Sequence, residues 1–315
     1  MHPLQRSELA VPATSDQFIA KAAASKADAI FLDLEDAVPD HLKEEARERA
    51  IHALNNVNWG RKTVSVRVNG LDTRWGFRDI LDIADRAMRL DRILLPKCDS
   101  PHHLKTVELM LASSELGLSR EKPVGIEALI ETARGMANVE AIAASGTRLE
   151  ALIFGAGDYQ LSMQIVEPSV GAPSPNYVVL SDDAPRQSHW NDPWHFALAR
   201  VANACRANGL QPIDGPFTNI GDPEGFRSAA KRALALGFEG KWAIHPSQID
   251  SANEIFSPSQ AQVSWAHEVR KILAEAKERG KGAAKTKDGH MIDIAHGKMA
   301  LAILERATRV QGIKG

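Results

Sequence analysis

The sequence predicts an α/β fold, a (β/α)8 TIM barrel with a C-terminal helical extension acting as a lid. Three observations predict it. Eight short apolar or β-branched runs alternate with helical patterns over residues 1–257, which is how a parallel sheet wrapped by helices reads. Runs such as ALI and ALIF carry no polar interruption, as expected of strands covered on both faces. Nearly every run also stops at a charged or polar residue, and the C-terminal mouth of a parallel barrel is where active sites sit. No GxGxxG turn follows the first strand, which argues against an open doubly wound sheet.

In chain order, RSELAVPA (6–13) is the first strand, and Ser15 can cap the helix DQFIAKAAASK. AIFLDL (29–34) is the second strand, ending in Asp33, Glu35 and Asp36, and the helix HLKEEARERAIHALNNV follows. TVSVRV (63–68) is strand three, with a helical pattern between Asp72 and Arg89, and RILLPK (92–97) is strand four. Helix 102–116, strand 123–130, helix 134–144 and strand 149–155 come next. Residues 166–195 look least regular, with Pro168, Pro173, Pro175, Pro185 and Pro193. A loop that long is usually functional. Helix 196–208, strand QPIDGP, helix 223–236 and strand GKWAIHP complete the barrel. Residues 258–315 form the extension: helix 258–277, a glycine-containing basic linker ERGKGAAKTKDGH, and an apolar tail MIDIAHGKMALAILERATRV. The linker reads as flexible, and Lys281, Lys285 and Lys287 are either a solvated charge run or phosphate contacts.

Bulk properties narrow the function. A net charge of −2 in 315 residues gives no reason to expect nucleic acid or a membrane surface. No run approaches a membrane span of about 18 apolar residues, and MHPLQRSELA lacks the apolar core of a signal peptide. Cys98 and Cys205 read as buried thiols in a reducing cytoplasm.

The strand ends carry the chemistry. Glu131 and Asp158 lie 27 residues apart, about one strand-helix-strand unit, which brings both to one mouth. Two carboxylates beside the small-residue turn Gly155, Ala156, Gly157 suit Mg²⁺, which keeps waters for a substrate to displace. The competing account has both acids capping helices or pairing with arginines. Arg67 at the end of strand three can hold an oxyanion or pair with Asp33 or Glu35. Lys97, Asp214 and His245 end strands four, seven and eight. Acids outnumber bases in this set, which points to a bound cation.

RSELAVPA, IFLDLEDAV, SVRVNGLDT, LPK, ALIETARG, FGAGD, DGP and KWAIHP together resemble the HpcH/HpaI aldolase and citrate lyase β-subunit superfamily. GRKTVSVRVNGLDT, HWNDPWH, GKWAIHPSQI and MIDIA are similar to its malyl-CoA lyase branch, and the likeness runs over essentially the whole chain. It implies cleavage of carboxylate-bearing 3-hydroxyacyl-CoA thioesters, such as malyl-CoA, to acetyl-CoA and glyoxylate. It also implies Mg²⁺ (or Mn²⁺), coenzyme A as part of the substrate, and a homotrimer or homohexamer. By position, Glu131 and Asp158 match the metal ligands, and Asp33, Glu35 and Asp36 match the acids that hold metal-bound waters. Arg67 matches the arginine at the thioester oxygen, Lys21 a CoA-contacting lysine, and Lys97 is grouped with the CoA contacts. Asp293 matches a base supplied by the neighbouring subunit's tail. One departure stands out: many relatives read GSRP or GNRP after the first strand, with an arginine that helps hold CoA, where this chain has Pro12, Ala13, Thr14, Ser15 and Asp16. A malyl-CoA thioesterase, a citramalyl-CoA lyase and a non-catalytic CoA-binding subunit are the alternatives.

Overall fold

A computed structural model describes the chain except Met1, Gly117, Ser119, Glu121, residues 167–169, Pro173, Pro175, Asp183, Ala184, Arg186, Gln187, Asn191, Lys287 and Gly315. Pro168, Pro173, Pro175 and Lys287, singled out above, therefore lie outside the described residues. The chain forms two compact units, Met1–Asn253 and Glu254–Gly315.

The first unit is a closed parallel barrel of eight strands. They are β1 (Ser7–Pro12), β2 (Ala29–Asp33), β3 (Thr63–Arg67), β4 (Arg92–Leu95), β5 (Gly125–Ile130), β6 (Leu149–Phe154), β9 (Gln211–Asp214) and β10 (Gly240–Ala243). β7 (Val178–Leu180) and β8 (Ser188–Trp190) form a separate antiparallel pair. The barrel closes where β1 pairs with β10, Leu9 opposite Ala243. Phe31, Leu94, Leu129, Ile153, Ile213 and Trp242 pack together as one buried cluster, each worth about 1.5–3 kcal/mol of burial for a side chain of this kind. The helices between strands start and stop on local signals. Ser15 accepts from the Phe18 N–H, Thr132 from Gly135 and Asp222 from Gly225, satisfying first-turn amides. Gly209, at φ +70°, ends the helix His195–Asn208 in the left-handed conformation.

The structure revises four expectations. The 166–195 stretch carries the β7–β8 hairpin within what reads as loop. Helix 134–144 is split at Asn138 into Ala133–Ala137 and Val139–Ala143. Asp158 lies in the first turn of a helix, Ala156–Ser162, that strand-end reasoning missed. The basic linker turns back on itself: β11 (Ala284–Lys285) pairs antiparallel with β12 (Met291–Ile292), and Thr286 N–H donates to the His290 carbonyl.

In the second unit, helix Gln260–Glu278 starts at a capping box between Ser259 and Gln262. Its Ala266 and Val269 pack with Ile292 and with Ala300 of helix Ile294–Lys314. Among the described residues no helix is long and apolar enough to cross a membrane.

Candidate active site

The mouth is built from the ends of β2 to β6. Asp33 and Arg67 lie opposite each other in the β2–β3 register, so the guanidinium reaches both carboxylate oxygens: Nε to Oδ1 at 2.7 Å and Nη2 to Oδ2 at 2.7 Å. Arg67 Nη1 also donates to Asp36 Oδ2 at 3.1 Å. It lies 3.1 Å from Glu35 Oε2, near enough for an ion pair but outside hydrogen-bond geometry, and that buried oxygen has no hydrogen-bond partner. Asp33 holds its own loop as well, accepting from the Glu35 and Ala37 N–H groups. Of the two accounts the sequence left open for Arg67, the pairing is what the structure shows, and the paired guanidinium sits at the mouth. Its underside rests on the Phe31 and Trp242 rings, 5.7 and 5.8 Å from their centroids.

β4 and β5 contribute Lys97 and Glu131. Lys97 N–H donates to Glu131 Oε1 at 2.7 Å, and its ammonium to Glu35 Oε1 at 2.7 Å. Glu131 is 3% exposed. Burial, then the charges of Glu35 and Asp158, push its carboxyl well above the ordinary range. Glu35 is raised too, first by burial and against the pull of Arg67. Burial alone would lower the Lys97 ammonium, but the hydrogen bond to Glu35 and the charges of Glu35, Glu131 and Asp158 win and raise it.

Gly155 explains itself here. A Cβ at that position would lie 2.6 Å from Glu131 Oε2 and 2.5 Å from Glu131 Cβ, so only glycine leaves the carboxylate its place. With the orphaned Glu35 oxygen and an all-oxygen donor set, the residues present fit a hard divalent cation. Among the described residues no group of three or more His, Cys, Asp and Glu is arranged to hold a metal. Mg²⁺ commonly takes only one or two carboxylates and fills the rest with water.

Other expected residues are exposed or already engaged. Lys21 is exposed, in the last turn of helix Asp16–Ala23. Ser15 caps that helix, and Asp16 in its first turn pairs with Arg49 at 2.8 Å. Asp214 is locked to Lys241 Nζ at 2.6 Å, both buried. His245 is exposed, and its ring accepts from the Ser247 N–H. Asp293 is exposed and caps the last helix, accepting from Ala295 and His296 N–H groups, with His296 Nδ1 at 2.8 Å. The His296 hydrogen bonds lower its carboxyl. Cys98 and Cys205 are free and buried, and burial pushes both thiols up to about 12, which leaves them inert. Sequence reasoning missed Lys43, whose ammonium donates to the Leu34 and Glu35 carbonyls at 3.0 and 2.8 Å and pins the acidic loop. Its signal was slight: one lysine among charges on a polar helix.

Fold and mouth define a (β/α)8-barrel protein with an acid-rich C-terminal end. The chain belongs to the HpcH/HpaI aldolase/citrate lyase family, whose pattern matches residues 6–246. It is 44% identical over 306 residues to an L-malyl-CoA/beta-methylmalyl-CoA lyase of Cereibacter sphaeroides, covering 97% of this chain and 95% of that one. It is 32% identical to a (3S)-malyl-CoA thioesterase of the same species, over 98% of this chain and 96% of that one. Among solved structures it resembles CitE from Mycobacterium tuberculosis in complex with magnesium, acetoacetate and coenzyme A. That likeness has a TM-score of 0.74 at 27% identity and covers 97% of this chain and 98% of that one.

Proposed function

We propose that this chain is a divalent-metal-dependent CoA-ester lyase. It would cleave malyl-CoA or its β-methyl analogue, reversibly, to glyoxylate and acetyl-CoA or propionyl-CoA. The observation that carries the reading is the 44% identity to a malyl-CoA/beta-methylmalyl-CoA lyase along 97% of the chain. The mouth geometry supports it independently, because the reaction needs a cation beside an anionic α-oxo acid and a fixed positive charge beside an enolate.

Glu131 and Asp158 would hold Mg²⁺ (or Mn²⁺), with Asp33, Glu35 and Asp36 ordering its waters. The cation would polarise the α-oxo acid fragment as a Lewis acid. Arg67, oriented in advance by Asp33, supplies positive charge where the thioester oxygen becomes an enolate. Lys21 and Lys97 are the CoA contacts. Asp293 acts as the acid-base group: it takes the acetyl-CoA methyl proton in synthesis and returns it to the enolate in cleavage. In this reading the tail serves as a lid over a neighbouring subunit's site, which makes the protein a homotrimer or homohexamer. The His296 hydrogen bonds that lower the Asp293 carboxyl make it a weaker base, so a dehydrated environment would have to raise it for this role. The buried free thiols Cys98 and Cys205 accord with a cytoplasmic setting.

The likeness to a (3S)-malyl-CoA thioesterase makes hydrolysis the second reading. An assay with malyl-CoA and Mg²⁺, following glyoxylate, malate and free CoA separately, separates the two. Glyoxylate with acetyl-CoA, lost with EDTA and strongly reduced in Asp293→Asn, is the expected result. Malate with free CoA and no glyoxylate would replace the lyase with the thioesterase.

A further inference from the structure

One residue of the mouth combines an unusual backbone with two contacts to acids. Lys97 has φ +48°, a left-handed conformation that side-chain-bearing residues keep only where the surroundings over-determine it. The bend aims its N–H at Glu131, and its ammonium lies on Glu35, both at 2.7 Å. A single residue therefore bridges the acid after β2 and the acid after β5. Among the described residues no cation forms an ion pair with Glu131 or Asp158. Arg67 is committed to Asp33, Glu35 and Asp36. Lys97 pairs with Glu35, its charge bears on Glu131 and Asp158 as well, and its side chain is partly open to solvent, at 38% exposure.

We propose that Lys97 is a tethered counter-cation. Its ammonium neutralises the acids of the mouth and gives way to the divalent cation, and so sets how tightly that cation binds. The inference rests on the metal reading of the site and extends it. A divalent ion among these acids meets like charge from Lys97, and that repulsion weakens binding. Displaced from Glu35, the ammonium is free to meet the acyl-CoA, the contact assigned to it above. Lys97 is then a positioning residue that acts on cation affinity through Glu35.

Titrating the full chain with Mn²⁺ while following the free-ion EPR signal tests this without any turnover. Lys97→Met should bind Mn²⁺ about tenfold more tightly than wild type, as removal of one nearby like charge predicts. Lys97→Gln keeps a donor for Glu35 and guards against misfolding of the methionine variant; it should tighten binding in the same direction. Lys97→Arg keeps the charge and should stay within about twofold of wild type. Unchanged or weaker binding in the neutral variants overturns the inference. Glu131→Gln separates its failure from that of the metal site. If wild type binds no Mn²⁺, or Glu131→Gln binds it normally, both fall. If Glu131→Gln loses the ion while the neutral Lys97 variants match wild type, only the role of Lys97 falls.

Discussion

Each end of the barrel buries an arginine among carboxylates, yet the two clusters differ in backbone strain and in whether a second cation stands partly open to solvent. At the N-terminal end Arg92 is 1% exposed and donates to Gln5 at 2.7 Å, to Glu127 at 2.6 Å and to Glu150 at 2.7 Å. Glu8 beside it accepts from Gln5 at 3.1 Å and from the Trp242 indole at 2.8 Å. The arginine's partners are all buried or half-buried side chains of the barrel, although Glu127 Oε2 has no hydrogen-bond partner. At the mouth, Asp33, Glu35, Asp36, Glu131 and Asp158 gather around two paired cations, Arg67 and Lys97. That cluster also holds a strained backbone, at Lys97, and an orphaned oxygen, on Glu35. Burial of charge alone does not mark a functional site. A strained backbone that carries a cation partly open to solvent, at Lys97, marks the end that a ligand completes.

The comparison can be broken most sharply at Glu131. Glu131→Gln should cut kcat about a thousandfold, since a metal's contribution of several kcal/mol would be lost, while Tm holds or rises because a buried charge is gone. Steady-state kinetics beside thermal melts would check this, and activity within tenfold of wild type would remove Glu131 from the metal site. Arg92→Met should do the reverse. It strands Glu127 and takes a partner from Glu150, at a cost of about 3–5 kcal/mol, read by urea unfolding, with kcat per folded molecule little changed. A large fall in kcat without loss of stability would show that the lower network is not merely structural.

Gly155→Ala sharpens the contrast at closer range. Its methyl displaces the Glu131 carboxylate, so kcat/KM should fall about a hundredfold, roughly 3 kcal/mol, and Mn²⁺ affinity should fall with it. The smallest effect is at Glu8. Burial, then the Glu127 charge, raises its carboxyl well above the ordinary 4.5. A carboxyl raised by folding contributes stability that is fully present below the unfolded value and lost as pH climbs through the native one. Glu8→Gln keeps the hydrogen-bonding shape without a proton to lose. Its Tm should match wild type at about pH 5 and exceed it at about pH 9. Parallel melts at both values would show a flat difference if Glu8 is not held protonated.

Much of the fold was legible. A strand covered on both faces has no use for polar side chains, so runs such as ALIF and AIFLDL announce themselves, and an acid that stops such a run has little packing reason to be there. Asp33, Glu35, Asp36, Arg67, Lys97 and Glu131 were found that way. Gln5, Glu8, Arg92 and Glu127 were not, although Glu8 and Glu127 interrupt apolar runs near strand starts. Strand-end reasoning looks only at one end of the barrel. The break at Asn138 and the helix holding Asp158 escaped because both are set within five to seven residues, shorter than helical periodicity can resolve.

By itself, then, the sequence determined the strands, their order and the residues at their ends, since these follow from local apolar pattern and chain direction. Which charge meets which was decided only by tertiary structure. Arg67 finds Asp33 through a register 34 residues apart in sequence, Gln5 finds Glu127 across 122, and Trp242 finds Glu8 across 234. Such partners depend on how the strands stagger and where the barrel closes, and no local propensity carries that information.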